Sequence, residues 1–277
     1  MAKANERWWV SPQIWVEVFA ILNLAFLTLD IYFAHSVNQF RRQAEYIPLI
    51  FSAVTPPILA FALAVRHRWP AVWKDLGYLV GWSAVVIGLI GVILHLESHF
   101  FYERTLRSLT YSAPFAAPLA YTGLGFLLIM NRMVDPKTLE WAQWVLLLAL
   151  GGFVGNFVFS LADHAANGFF NPLEWVPVVA SSFAVGFLAV PLVMQVSRQY
   201  INVCVVILLA EASVGLWGFI LHAAANLRGP SGQTLNNFIH GAPAMAPLLF
   251  PNLMVLGIVA LWQFRVSLAE TFPASRN

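Results

Sequence analysis

The chain has 277 residues, of which 60% are hydrophobic and 10% charged, with a net charge of +2. A soluble domain carries about 25% charged residues, so no water-facing surface can be built here and the chain reads as an integral membrane protein. Its single cysteine, Cys204, excludes a disulfide scaffold, and the near-neutral charge balance without basic runs excludes a nucleic-acid partner.

A spanning helix needs about 20 apolar residues. Eight runs qualify, at 14–34, 47–65, 77–96, 111–130, 141–162, 175–196, 201–221 and 241–264. Period-two patterning is absent, so the expected fold is all-α, with eight transmembrane helices in four tandem hairpins and one membrane domain over residues 1–277. Residues 1–9 are polar and no small-residue cleavage site follows, so no cleavable signal peptide is expected.

In chain order, the first run holds Glu17, which is expected to snorkel to the interface, and Asn23 and Asp30, which predict an inward polar line. The second holds Pro56 and Pro57, which predict a kink. The third ends at His95, and His99 and Glu103 follow at spacings of four that would align all three on one helix face. The fifth holds Gly151 and Gly155, a pair that allows close helix contact. The sixth and eighth hold Pro191 and Pro251, further expected kinks. The seventh holds Glu211 near mid-span, where a carboxylate is costly and marks a functional site by default. Glu211 precedes His222 by 11 residues, about three helical turns.

The helix starts also repeat. Each even-numbered run opens near a proline, at Pro48, Pro114, Pro177 and Pro243, and the pattern predicts internal repeats over 14–76, 77–140, 141–199 and 200–265. Lys3, Arg7, Arg66, Arg68, Lys74, Arg132, Lys137, Arg198, Arg265 and Arg276 fall on the side of the termini. Only Arg41, Arg42, Arg104, Arg107 and Arg228 fall on the other. The positive-inside rule therefore places both termini in the cytoplasm, as expected of a protein of the bacterial inner (plasma) membrane. Trp8, Trp9, Trp69, Trp73, Trp141, Trp144 and Trp262 form an aromatic belt on the terminal side.

Of the seven histidines, His67 lies in a terminal-side loop between two arginines and reads as solvated. His35, His95, His99, His164, His222 and His240 all fall on the outer side. Aligning the ends of the odd helices brings Asp30, His95, His164 and His222 to one depth. Three imidazoles and a carboxylate suit iron, copper or zinc, and the lone cysteine argues against a thiolate site. His99, Glu103, Asp163, Asn167 and Asn226 would support those ligands by hydrogen bonding, and Glu45, Asp163 and Glu174 supply carboxylates for a dinuclear site. His35, His99 and His240 complete the cofactor-binding set, since a histidine pair at one depth also suits the two faces of a haem. Glu103 and Glu211 are the candidate catalytic carboxylates. The plain alternative is that histidines at helix ends are ordinary interfacial residues lining a wet vestibule.

Three functions fit. The first is a membrane metalloprotein doing redox chemistry on a lipophilic small molecule such as a quinol. The second is a zinc-dependent hydrolase of membrane lipid, its bound water acidified by the metal. The third is a non-enzymatic transporter, or a subunit associated with other membrane subunits, with a protonatable vestibule. There is no phosphate-binding loop and no serine nucleophile elbow.

Overall fold

The computed structural model of the chain describes residues 11–271, with side chains through residue 267, so Lys3, Arg7, Trp8, Trp9 and Arg276 lie outside the described residues. Every regular element among the described residues is helical: α1 (Pro12–Ser36), α2 (Tyr46–Val65), α3 (Pro70–Glu97), α4 (Phe100–Glu103), α5 (Leu106–Thr110), α6 (Leu119–Met133), α7 (Leu139–Ala166), α8 (Trp175–Val193), α9 (Arg198–Arg228), α10 (Thr234–His240) and α11 (Leu249–Thr271). Single 3-10 turns precede α2, α8 and α11. Seven helices, α1, α2, α3, α7, α8, α9 and α11, are long and apolar enough to cross a membrane. The surface is inverted relative to a soluble protein. Leu22, Leu79, Val206 and Trp217 are exposed, while Glu17, Asn131, Asn156 and Glu211 are buried.

The eighth expected span falls on α6, which has 15 residues, or about 22 Å of helix against a hydrocarbon core of about 30 Å. Residues 111–118 ahead of it run through turns. Pro114 and Pro118 explain this, since each lacks an N–H and biases the residue before it away from helix. The prolines of the even runs therefore act in two ways. Pro48 and Pro177 sit inside the first turns of α2 and α8, whereas Pro114 and Pro243 lie in irregular backbone ahead of α6 and α11.

Four hairpins form, α1 with α2, α3 with α6, α7 with α8, and α9 with α11. An inner ring joins them: α1 packs on α6, α6 on α7, α7 on α11, and α11 back on α1. Helices α2, α3, α8 and α9 flank this ring. Glycines set the tightest contacts. A Cβ on Gly88 of α3 would stand 2.8 Å from the Pro118 carbonyl oxygen, and one on Gly215 of α9 would stand 2.5 Å from that of Pro247. Gly151 and Gly155, the pair expected to permit close contact, face open space instead, and it is Gly152 that abuts Leu253.

At the terminal end of the bundle Glu17 does not snorkel. It is fully buried and takes a bidentate pair from Arg132, at 2.6 Å (Nη2 to Oε1) and 3.0 Å (Nη1 to Oε2). Arg132 also donates to the Leu128 carbonyl and lies over the Trp73 ring. Asn131 donates to Glu17 Oε2 at 3.3 Å and accepts from Trp141 Nε1 at 3.2 Å. Arg132 is thus an internal ion-pair partner and not the solvated loop cation its position suggested. A desolvated charge persists only when its partner and remaining hydrogen bonds are supplied. Here α1, α3, α6 and α7 supply them together.

Candidate functional site

The opposite end of the bundle carries the histidines. The α1–α2 connection is built around two consecutive left-handed residues, Gln39 (φ 59°) and Phe40 (φ 50°). That conformation is costly for residues with a Cβ. It turns the Phe40 ring back onto Tyr46, at 4.8 Å between centroids, and beside His35, at 5.8 Å. The turn also delivers Glu45 against His35, with Oε2 3.6 Å from Nδ1. That spacing is too long for a hydrogen bond. Glu45 Oε1 accepts from Asn38, whereas Oε2 is buried and has no hydrogen-bond partner. His95, at the end of α3, closes the group, its ring centroid 6.1 Å from that of His35. His95 Nδ1 donates to the Pro114 carbonyl at 2.8 Å. A carbonyl can only accept, so Nδ1 carries a proton, and in the neutral imidazole Nε2 keeps the lone pair.

The α7–α8 connection has the same construction. Gly168 (φ 73°) and Phe169 (φ 50°) are left-handed, Phe169 stacks on Trp175 at 4.1 Å, and its ring lies 6.1 Å from that of His164. Glu174 Oε2 stands 3.6 Å from His164 Nδ1 and is likewise buried without a hydrogen-bond partner. His222 of α9 matches His95, its Nδ1 donating to the Pro243 carbonyl at 3.0 Å. Asn226 on the next turn clamps Ala242 through both its amide and its carbonyl oxygen. In the irregular backbone before α6 and α11 each proline carbonyl accepts both a backbone N–H, from Ala117 or Ala246, and the imidazole Nδ1–H.

The expected ligands thus fall into two groups. His95 stands with His35 and Glu45. His164 stands with Glu174, and His222 is within electrostatic reach of both His164 and Asp163. Asp30 lies on α1 five residues before His35, about 140° round the helix. Among the described residues, no group of three or more His, Cys, Asp or Glu side chains is placed to hold a metal ion, so Asp30, His95, His164 and His222 do not converge as a single ring. The His95, His99 and Glu103 stripe is also broken. Helix α3 ends at Glu97, His99 has φ −151° as the residue before α4, and Arg104 (φ 53°) terminates that turn. His99, Glu103 and His240 are exposed, and His240 Nδ1 donates to the Asn236 carbonyl on its own helix. Asn167 is exposed, and Asn226 is buried on the Ala242 backbone. Glu211 is buried on α9, with Oε2 unpartnered.

Sequence reasoning singled out Glu45 and Glu174 only as outer carboxylates. The signal that pairs them with their histidines is a ten-residue interval with phenylalanine midway, present in both His35–Glu45 and His164–Glu174. A crevice of about 20 Å³, room for one water, separates Pro114 on one side from Asp163 on the other. The larger groove, about 390 Å³ between α8 and α9, is lined by Ser182, Phe187 and Tyr200 and lies away from the histidines. Comparison with protein families, curated proteins and solved structures finds no match for the chain.

Proposed function

We propose that the protein is a membrane metalloprotein, with both termini cytoplasmic, that uses its histidine-bearing outer end for redox chemistry on a lipophilic substrate such as a quinol. One observation carries this reading. A buried carboxylate oxygen with no hydrogen-bond partner faces an unbonded imidazole nitrogen at 3.6 Å, in both connections. A buried acceptor without a partner costs about 1–3 kcal/mol, and a cation offsets that cost. Donors at about 2.1 Å from one tetrahedral ion stand about 3.4 Å apart, close to the observed spacing. Imidazole and carboxylate donors suit iron, copper or zinc. The proline carbonyls that hold His95 and His222 by Nδ1 serve as the oxygen partners that orient a ligating imidazole. Bringing the donors onto one ion takes rotation of side chains that are largely buried, the glutamates 11% exposed. The site's position at the ends of apolar helices gives a membrane-dissolved substrate access from the lipid.

Glu211 lies about 16 Å along α9 from His222 at 1.5 Å per residue, and in this reading it relays protons toward the outer end. The test is metal content together with a visible spectrum of the purified protein in detergent. Stoichiometric iron or copper supports the redox reading, and a Soret band assigns the iron to haem. Zinc without colour transfers the site to lipid hydrolysis. No stoichiometric metal overturns both and leaves a protonatable vestibule, the reading in which a proton occupies the His–Glu gap. Glu211→Gln should keep metal content and slow turnover, and full activity in that variant would end the relay.

A further inference from the structure

We infer that the chain binds one alkali-metal cation in the crevice between Pro114 and Asp163, at a seam between its two halves, α1 to α6 and α7 to α11. The site is separate from the His–Glu pairs and stands whether or not those pairs bind a metal. The crevice lies where the segment joining α5 to α6 meets the outer end of α7. Its polar side chains are Thr110 and Ser112 on one side and Asp163 on the other. The Thr110 hydroxyl donates to the Leu106 carbonyl at 3.0 Å and the Ser112 hydroxyl to the Ser108 carbonyl at 2.8 Å. A hydroxyl has one proton to give, so both oxygens keep only lone pairs. The Asp163 carboxylate forms no hydrogen bond and no ion pair among the described residues, and the His222 imidazole is within electrostatic reach of it. The Pro114 carbonyl already accepts from His95 and Ala117, so it serves as a wall and not as a ligand.

Three side-chain oxygens without a free proton, one of them on a carboxylate, favour a cation over an anion. Hard oxygen donors select alkali and alkaline-earth ions over the later transition metals. Size and charge decide between those two classes. The crevice measures about 20 Å³, room for one water-sized body. Mg²⁺ retains several of its waters and Ca²⁺ takes about six to eight oxygens, so neither is accommodated. A single carboxylate balances a single positive charge. Asp163 belongs to the spanning helix α7, and a carboxylate within a spanning helix marks an ion path by default.

The likeness between the halves explains why there is one such site and not two. His164, Glu174 and Pro243 stand 129 positions after His35, Glu45 and Pro114. The left-handed turn, the 3.6 Å gap between imidazole and carboxylate, and the imidazole bond to a proline carbonyl all recur in the second half. The seam recurs too, since α10 packs on α1 as α5 packs on α7. At the same interval Thr110 and Ser112 correspond to Ile239 and Gly241, and Asp163 corresponds to Ala34. The second seam therefore lacks all three oxygens, and the cation site belongs to the first alone.

The experiment is equilibrium dialysis of the full-length protein in detergent against Na⁺ or K⁺, with choline chloride holding the ionic strength constant and bound ion read by atomic emission. It is run at about pH 8, where ordinary imidazoles are neutral. The wild type should bind one ion of at least one kind per chain, saturably. Asp163→Asn should lose that ion, and Asp135→Asn, at the terminal end, should keep it. Thr110→Val and Ser112→Ala should each raise the half-saturating concentration about tenfold through loss of one neutral donor. These two variants report on the site even where Asp163→Asn misfolds. Unchanged binding in Asp163→Asn, or in both hydroxyl variants, overturns the inference. So does a second equivalent ion in the wild type, or no saturable binding of either ion.

Discussion

Glu17 and Arg132 show how a residue's meaning depends on what faces it. A glutamate one turn inside an apolar helix reads as a snorkelling side chain, and an arginine just past another apolar run reads as a loop cation. Together they make an enclosed bidentate pair with both side chains fully buried. Removing one partner of such a pair strands the other charge and costs about 3–5 kcal/mol. Arg132→Met should therefore lower the melting temperature in detergent sharply, while Glu17→Leu combined with Arg132→Met should recover most of the loss. A single variant that melts like the wild type would show that the pair contributes no stability. At the other end, His35 and His164 were visible as titratable residues, but the glutamates that face them are ten positions away across a left-handed turn. Hydropathy does not report that approach; its only trace in the sequence is the shared ten-residue interval with phenylalanine midway.

At the scale of the element, helix existence was legible and helix limits were not. Apolar length alone locates α1, α2, α3, α7, α8, α9 and α11. The run at 111–130 gave the right location for a descending segment but not its form, because Pro114 and Pro118 hold residues 111–118 in turns. The glycine pattern misled in a similar way. Gly-x-x-x-Gly permits close contact only if a neighbouring helix lies on that face, and Gly151 and Gly155 face none. Gly81, Gly88 and Gly125 all lie in the α3–α6 contact. Gly88→Ala would press a methyl on the Pro118 carbonyl 2.8 Å away and should destabilise by about 1–3 kcal/mol through overpacking. Gly151→Ala and Gly155→Ala should be neutral or slightly stabilising, since alanine is the better helix former by about 1 kcal/mol. Thermal melts of the three variants in one detergent check this, and equal melting of all three would contradict the assigned contact.

For the whole molecule, orientation decides which compartment the sites meet. The cation bias favours cytoplasmic termini even with Arg132 removed from the loop count, because Arg66, Arg68, Lys74, Lys137, Arg198 and Arg265 remain on that side. In a Cys204→Ala background, Val37→Cys and Asn167→Cys should react in intact cells with a membrane-impermeant thiol reagent. Arg68→Cys and Asp135→Cys should react only after lysis. All four positions are exposed in the structure, so burial does not confound the readout. The reverse labelling pattern would move both histidine sites to the cytoplasmic face.

Composition and apolar run length determined the class, the all-helical fold and the gathering of histidines at one end, because the hydrocarbon core constrains length and polarity locally, residue by residue. Which histidine answers to which was decided only by tertiary structure. Aligning helix ends by sequence matched Asp30 with His95, His164 and His222, a period of about one hairpin. The folded chain matches His35 with His164 and His95 with His222, a period of two hairpins. The physical reason is that equivalence between these residues is set by side-chain direction and by the backbone across the gap: a left-handed turn that returns a glutamate, and a proline carbonyl in irregular backbone that accepts from the imidazole. Both are created when separate helices pack, and neither is encoded in the hydropathy of a single run.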